Sequence, residues 1–171
     1  MDEALLAATR ELLVEVGYAA LSFEAVATRA GVGRPAIYRR FPTKPALVHA
    51  AVFPDALAVT VPSTGDLEND VRTAVRRTVR LFTRPDVRAA TPGLLAEMYA
   101  DPELRATLRA RIQAPTTAAW KDLLGADAEV LVEMLAGAVI FRVATRGRCG
   151  PAFERRLGDV LLAGLGTTTS G

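Results

Sequence analysis

Apolar residues recur three or four positions apart along most of the chain, and nowhere do apolar and polar residues alternate long enough to make a strand. This pattern predicts an all-α protein of about nine helices. A first helix is expected from about Asp2 to Val16, with Leu5, Leu6, Thr9, Leu12, Leu13 and Val16 on one face and Glu3, Arg10, Glu11 and Glu15 on the other. Gly17 ends it. Ser22 caps a second helix that stops at Gly31, with Glu24 in its positive first turn. A third runs roughly from Arg34 to Phe41, and Thr43 caps a fourth that Pro54 ends or kinks.

After a linker at Val61–Gly65, Asp66 caps a long fifth helix whose buried stripe is Leu67, Val71, Ala74, Val75, Thr78 and Phe82. Thr91-Pro92 and Asp101-Pro102-Glu103 each read as a cap followed by proline at the first helical position. Pro115 is expected to kink its helix. The last two helices are expected over Asp127–Arg146 and Pro151–Leu165, with a disordered tail from Gly166 to Gly171.

Length and composition narrow the function classes. The 171 residues, half of them hydrophobic, suffice for a genuine core. A net charge of +2 from 21 cations and 19 anions does not by itself indicate a nucleic-acid partner, so any basic surface must be local. One cysteine, Cys149, and one histidine, His49, leave no disulfide and no metal-ligand cluster, so neither metal nor cofactor is expected. A reducing cytoplasm suits this composition. Met1-Asp2-Glu3 lacks the layout of a signal peptide, and the longest apolar run, Val130–Ile140, is interrupted by Glu133.

The local concentration of charge lies in "GVGRPAIYRRFPTK", residues 31–44. From Gly33 to Ala50 there are four cations (Arg34, Arg39, Arg40, Lys44) and no acid, whereas residues 1–32 carry five acids and two arginines. Two short helices joined through a glycine turn and packed on a longer first helix describe a helix-turn-helix, whose second helix enters the DNA major groove. Arg34 can reach guanine edges, Pro35 and Ala36 are small enough to lie against thymine methyls, and Tyr38 and Lys44 can reach phosphate. Arg39 could equally be a solvated cation. The expected division is residues 1–47 as the DNA-binding domain and 48–171 as a helical ligand-binding and dimerisation domain.

The order Gly17-Tyr18, Ser22-Phe23, Val26-Ala27, Ala30-Gly31-Val32, Ile37-Tyr38, Phe41, Lys44 and Leu47 resembles the DNA-binding domain of the TetR (tetracycline-repressor) family of one-component transcriptional regulators. By that resemblance Ser22, Gly33, Arg34, Pro35, Ala36, Tyr38, Arg40 and Lys44 match positions that meet DNA, while Leu12, Phe23, Val26, Ile37 and Phe41 match its core. The resemblance implies a dimeric, ligand-responsive repressor of a palindromic operator. In one respect the chain departs from the family. It is helix-ready from Asp2, so the basic arm that precedes the first helix in most members is expected to be absent or to lie upstream.

The helix over Asp127–Arg146 is apolar on nearly every side and must be covered on two faces. Val130, Met134, Gly137 and Phe141 form one row; Leu131, Leu135 and Ala138 form another. With Phe153, Leu157, Leu161 and Gly164 of the last helix, Leu131, Leu135, Gly137 and Ala138 make the expected homodimer interface, a four-helix arrangement. Phe82, Leu95, Met98, Tyr99, Trp120, Met134 and Phe141 are the candidate lining of an apolar effector site, although each alone also reads as core.

The arginines at 72, 76, 77 and 80 read as a solvated face, and Cys149 as an incidental thiol. No nucleophile, base or acid pair supports an enzyme. The competing reading is an all-α small-molecule-binding protein with weakened or lost operator binding.

Overall fold

The helical periodicity takes shape as nine helices, without a strand, among residues 2–53 and 64–168, which a computed structural model describes. They are α1 (Asp2–Ala20), α2 (Phe23–Ala30), α3 (Arg34–Arg40), α4 (Lys44–Val52), α5 (Leu67–Thr83), α6 (Pro85–Ala100), α7 (Pro102–Leu124), α8 (Asp127–Arg146) and α9 (Pro151–Thr168). The chain divides into two compact units, Met1–Leu57 with Pro85–Arg111 and Ala58–Arg84 with Ile112–Gly171. Residue 47 falls inside α4.

In the first unit α1 packs against α2, α4 and α6. Leu5, Ala8, Leu12 and Leu13 of α1 are buried, as are Val26 of α2, Ile37 of α3, Leu47 and Val48 of α4, and Val87, Ala90 and Leu94 of α6. The predicted face of α1 is therefore present except at its end. Val16 is exposed, and the helical path breaks at Gly17 (φ 74°, ψ 173°) before a further turn reaches Ala20.

The expected helix start at Thr91-Pro92 is corrected by the structure. Thr91 lies within α6, and its Oγ1 donates back along the helix to the Val87 carbonyl at 2.7 Å instead of capping an N-terminus. The helix has already begun at Pro85 with Asp86 in its first turn, and Val87, Ala90 and Leu94 hold it by burial, which outweighs the hydrogen bond that Pro92 cannot donate. The start at Asp101-Pro102 matches expectation: Asp101 accepts from the N–H groups of Glu103 and Leu104. Pro115 is likewise inside its helix, α7.

The second unit closes around Val71, Ala74, Val75, Val79, Trp120, Ala128, Leu131, Leu135, Val139 and Leu161, with α5 against α8 and α9. Asp66 caps α5 by accepting from Asn69 N–H. Asp70 is buried one turn later and accepts from both the N–H (2.9 Å) and the hydroxyl (2.7 Å) of Thr64. Arg72 ties α5 to α9 through Asp159 at 3.0 Å, while Arg76, Arg77 and Arg80 form the expected exposed face. Within the expected linker, Val61–Ser63 lie outside the described residues, as does Pro54. The expected tail is helical to Thr168, and 169–171 lie outside the described residues.

Candidate nucleic-acid interface

Local chemistry sets the path from α2 to α4. Ser22, with extended backbone, accepts from Ala25 N–H at 3.2 Å and so caps α2. Gly31 stops it in the left-handed region (φ 66°, ψ 31°), where a side chain would be strained. The N–H groups of Gly31 and Val32 bond back to the carbonyls of Thr28 and Ala27. Gly33 then precedes α3, with Pro35 in its first turn, and Thr43 caps α4 through Ala46 N–H. Ile37 is fully buried and seats α3, leaving Arg34, Pro35, Tyr38, Arg39 and Arg40 exposed along the same short helix and Ala36 half-buried. The Tyr38 ring lies 4.6 Å from that of Phe23 in a tilted contact, yet Tyr38 remains 45% exposed.

Three of the cations on this surface meet protein groups. Arg34 lies 3.8 Å from Glu24, and Arg40 pairs with Asp2. Lys44 Nζ donates to the Ala19 carbonyl at 3.1 Å and sits 4.6 Å from the centre of the Tyr18 ring. Burial holds the Lys44 ammonium below the ordinary lysine range, against an opposing pull from Glu97. Arg29 of α2 is tied to α1: it donates to both carboxylate oxygens of Glu15 at 2.8 Å and reaches Glu11 at 3.3 Å. The hydrogen bonds from Arg29 hold the Glu15 carboxyl below its usual value, and those from Glu15 and Glu11 raise that of Arg29.

Two family descriptions match this chain. "Bacterial regulatory proteins, tetR family" matches residues 5–51, and "Tetracyclin repressor-like, C-terminal domain" matches residues 61–161. The chain belongs to the TetR family. It is a TetR-family regulator of the helix-turn-helix type. The Bacillus subtilis HTH-type transcriptional regulator YdeS is 26% identical over 157 residues, covering 85% of this chain and 79% of that protein. An HTH-type regulator of Mycobacterium bovis is 44% identical over 68 residues, which are 39% of this chain and only 34% of the mycobacterial protein.

Among solved structures, the TetR-family regulator SCO0332 has a TM-score of 0.70 at 28% identity, covering 95% of this chain and 96% of its own. The Dietzia repressor AlkX shares the fold, with a TM-score of 0.67 at 18% identity and coverage of 97% and 95%. The family and these homologues are transcriptional regulators, not enzymes. No helix among the described residues is long and apolar enough to cross a membrane.

The remaining expected site residues of this TetR-family chain are distributed as follows. Leu131, Leu135 and Leu161 belong to the second unit's own core, with Phe153 and Leu157 packed against it. Exposed on α8 are Val130, Met134, Gly137 and Phe141; Ala138 is half-buried, and Gly164 is exposed on α9. The structure therefore separates the two rows of α8, the leucines facing inward and the Met134–Phe141 row outward.

Of the expected effector residues, Trp120 is core and Phe82 packs on that core; Met134 and Phe141 are 50% and 70% exposed. Leu95, Met98 and Tyr99 belong to the first unit, where Tyr99 is 87% exposed. In the second unit a half-open pocket of about 140 Å³ is lined by Arg72, Val75, Arg76, Pro151, Glu154 and Arg155.

His49 is buried beside Phe53, and burial raises the Cys149 thiol above its ordinary value, away from reactive thiolate character. Sequence reading gave Tyr18 no role beyond the family pattern and missed Gly93 and Glu97, which the fold brings to the Tyr18 ring under Lys44. No periodicity or motif links residue 18 to residues 93 and 97.

Proposed function

We propose that this TetR-family regulator is a dimeric repressor that binds a palindromic operator through α3 and is released by a small apolar or aromatic molecule. The observation that carries the DNA reading is the run of exposed Arg34, Pro35, Tyr38, Arg39 and Arg40 on a helix seated by a fully buried Ile37. In this reading Arg34, Pro35 and Ala36 read base edges. Ser22, Gly33, Tyr38, Arg39, Arg40 and Lys44 hold the backbone. Residues 1–47 act as the DNA-binding part and 48–171 as the part that dimerises and senses ligand.

Dimerisation is supported by the exposed row Val130, Met134, Gly137 and Phe141 on α8, an apolar surface that a second copy would cover. Two copies are also what half-sites about 34–36 Å apart require. Release follows as a population shift, the effector preferring the conformer whose recognition helices are wrongly spaced.

Selection of bound duplexes from random DNA tests the reading. Recovery of an inverted repeat bound with steep salt dependence is the expected result. Failure to enrich any sequence, with small apolar molecules still bound, would instead favour a ligand-binding protein that has lost its operator.

A further inference from the structure

The cation at the start of α4 already has partners within the protein. Lys44 Nζ rests over the Tyr18 ring at 4.6 Å and donates to the Ala19 carbonyl at 3.1 Å. Tyr18 is itself held from α6 on two sides. Its hydroxyl donates to Glu97 Oε1 at 3.5 Å. Its ring lies flush against Gly93, where a Cβ would come within 2.1 Å of Tyr18 Cδ1. Only glycine at that position lets the ring lie where Lys44 can cover it. Glu97 also attracts the Lys44 charge.

We propose that Gly93 and Glu97 of α6 are positioning residues for Lys44, holding its ammonium on Tyr18 and away from DNA phosphate until α6 releases it. The proposal rests on the operator-binding reading above. The ring face, the carbonyl and the Glu97 carboxylate compete with phosphate for the same ammonium, so weakening any of them favours DNA. Glu97→Gln is the cleanest variant, because the amide keeps a hydrogen-bond acceptor for Tyr18 while removing the charge that attracts Lys44.

Glu97→Gln is expected to bind a selected operator duplex severalfold more tightly than the unmodified protein. Its plot of log affinity against log salt should be steeper by about 0.9, the value of one added phosphate contact. Adding Lys44→Gln should abolish both changes. Independently of DNA, the ε-methylene protons of Lys44 should resonate upfield of those of Lys121, the chain's other lysine, through the ring current of Tyr18.

Absence of that upfield shift would overturn the docked ammonium. A present shift with operator binding weakened or unchanged in Glu97→Gln would overturn the withholding and make Tyr18 a platform that prepositions Lys44. If neither protein binds any duplex while the upfield shift is seen, the regulator reading itself has failed, and the proposal with it.

Discussion

A few side chains of this protein carry consequences out of proportion to their size. At Gly93 the limit is space: a methyl group would collide with the Tyr18 ring at 2.1 Å. Gly93→Ala is therefore expected to cost about 1–3 kcal/mol of stability, as overpacking does, read as a lowered urea midpoint. It should also shift the Tyr18 and Lys44 resonances together. Arg34 is exposed and, in the proposed reading, faces a base edge. Arg34→Ala should cost about 1–3 kcal/mol of operator binding and relax preference at one base position of each half-site. A loss uniform across all sequences would mean that Arg34 holds phosphate instead.

Elements are placed by their ends and by ties between them. The hydroxyl of Ser22 satisfies an N–H that α2 would otherwise leave open, so Ser22→Ala should lower stability by about 1 kcal/mol in thermal or urea unfolding. Ser22 is also an expected DNA contact, and comparing Ser22→Ala with Ser22→Asp, which keeps the cap but adds repulsion to phosphate, separates the two roles. Between α1 and α2 the tie is Arg29 with Glu15, which holds the Glu15 carboxyl below its ordinary value of 4.5. A depressed folded value means that the contribution is present above the unfolded value and is lost as pH falls through the folded one. A carboxyl titration by NMR should therefore find Glu15 shifted down, with Arg29→Gln returning it toward 4.5.

For the whole molecule the decisive question is what covers α8. Its leucine row and Leu161 of α9 are used inside the protomer, so a charge at Leu135 or Leu161 would disrupt the fold before it tested assembly. Phe141→Glu is the informative change, since Phe141 is 70% exposed and its loss leaves the protomer core intact. Sedimentation is expected to show a monomer with unchanged helix content and much weaker operator binding. A Phe141→Glu dimer that persists at dilute concentration would place the interface elsewhere.

Most of the helices, the caps at Ser22, Thr43, Asp66 and Asp101, the turn at Gly31 and the cationic segment of α3 were legible in the sequence. Periodicity, capping chemistry and glycine's backbone freedom act over a few neighbouring residues. The same local rules misplaced a helix start at Thr91-Pro92, where burial of Val87, Ala90 and Leu94 outweighs a proline's missing hydrogen bond. Nor could they divide the apolar rows of α8 into an inner and an outer face, because both rows are apolar and only the packing of α5 and α9 distinguishes them. The contact of Tyr18 with Gly93 and Glu97 spans more than seventy residues. Which side chain holds Lys44 is therefore a matter of where α6 lies against α1, a decision that belongs to tertiary packing and leaves no local trace in the chain.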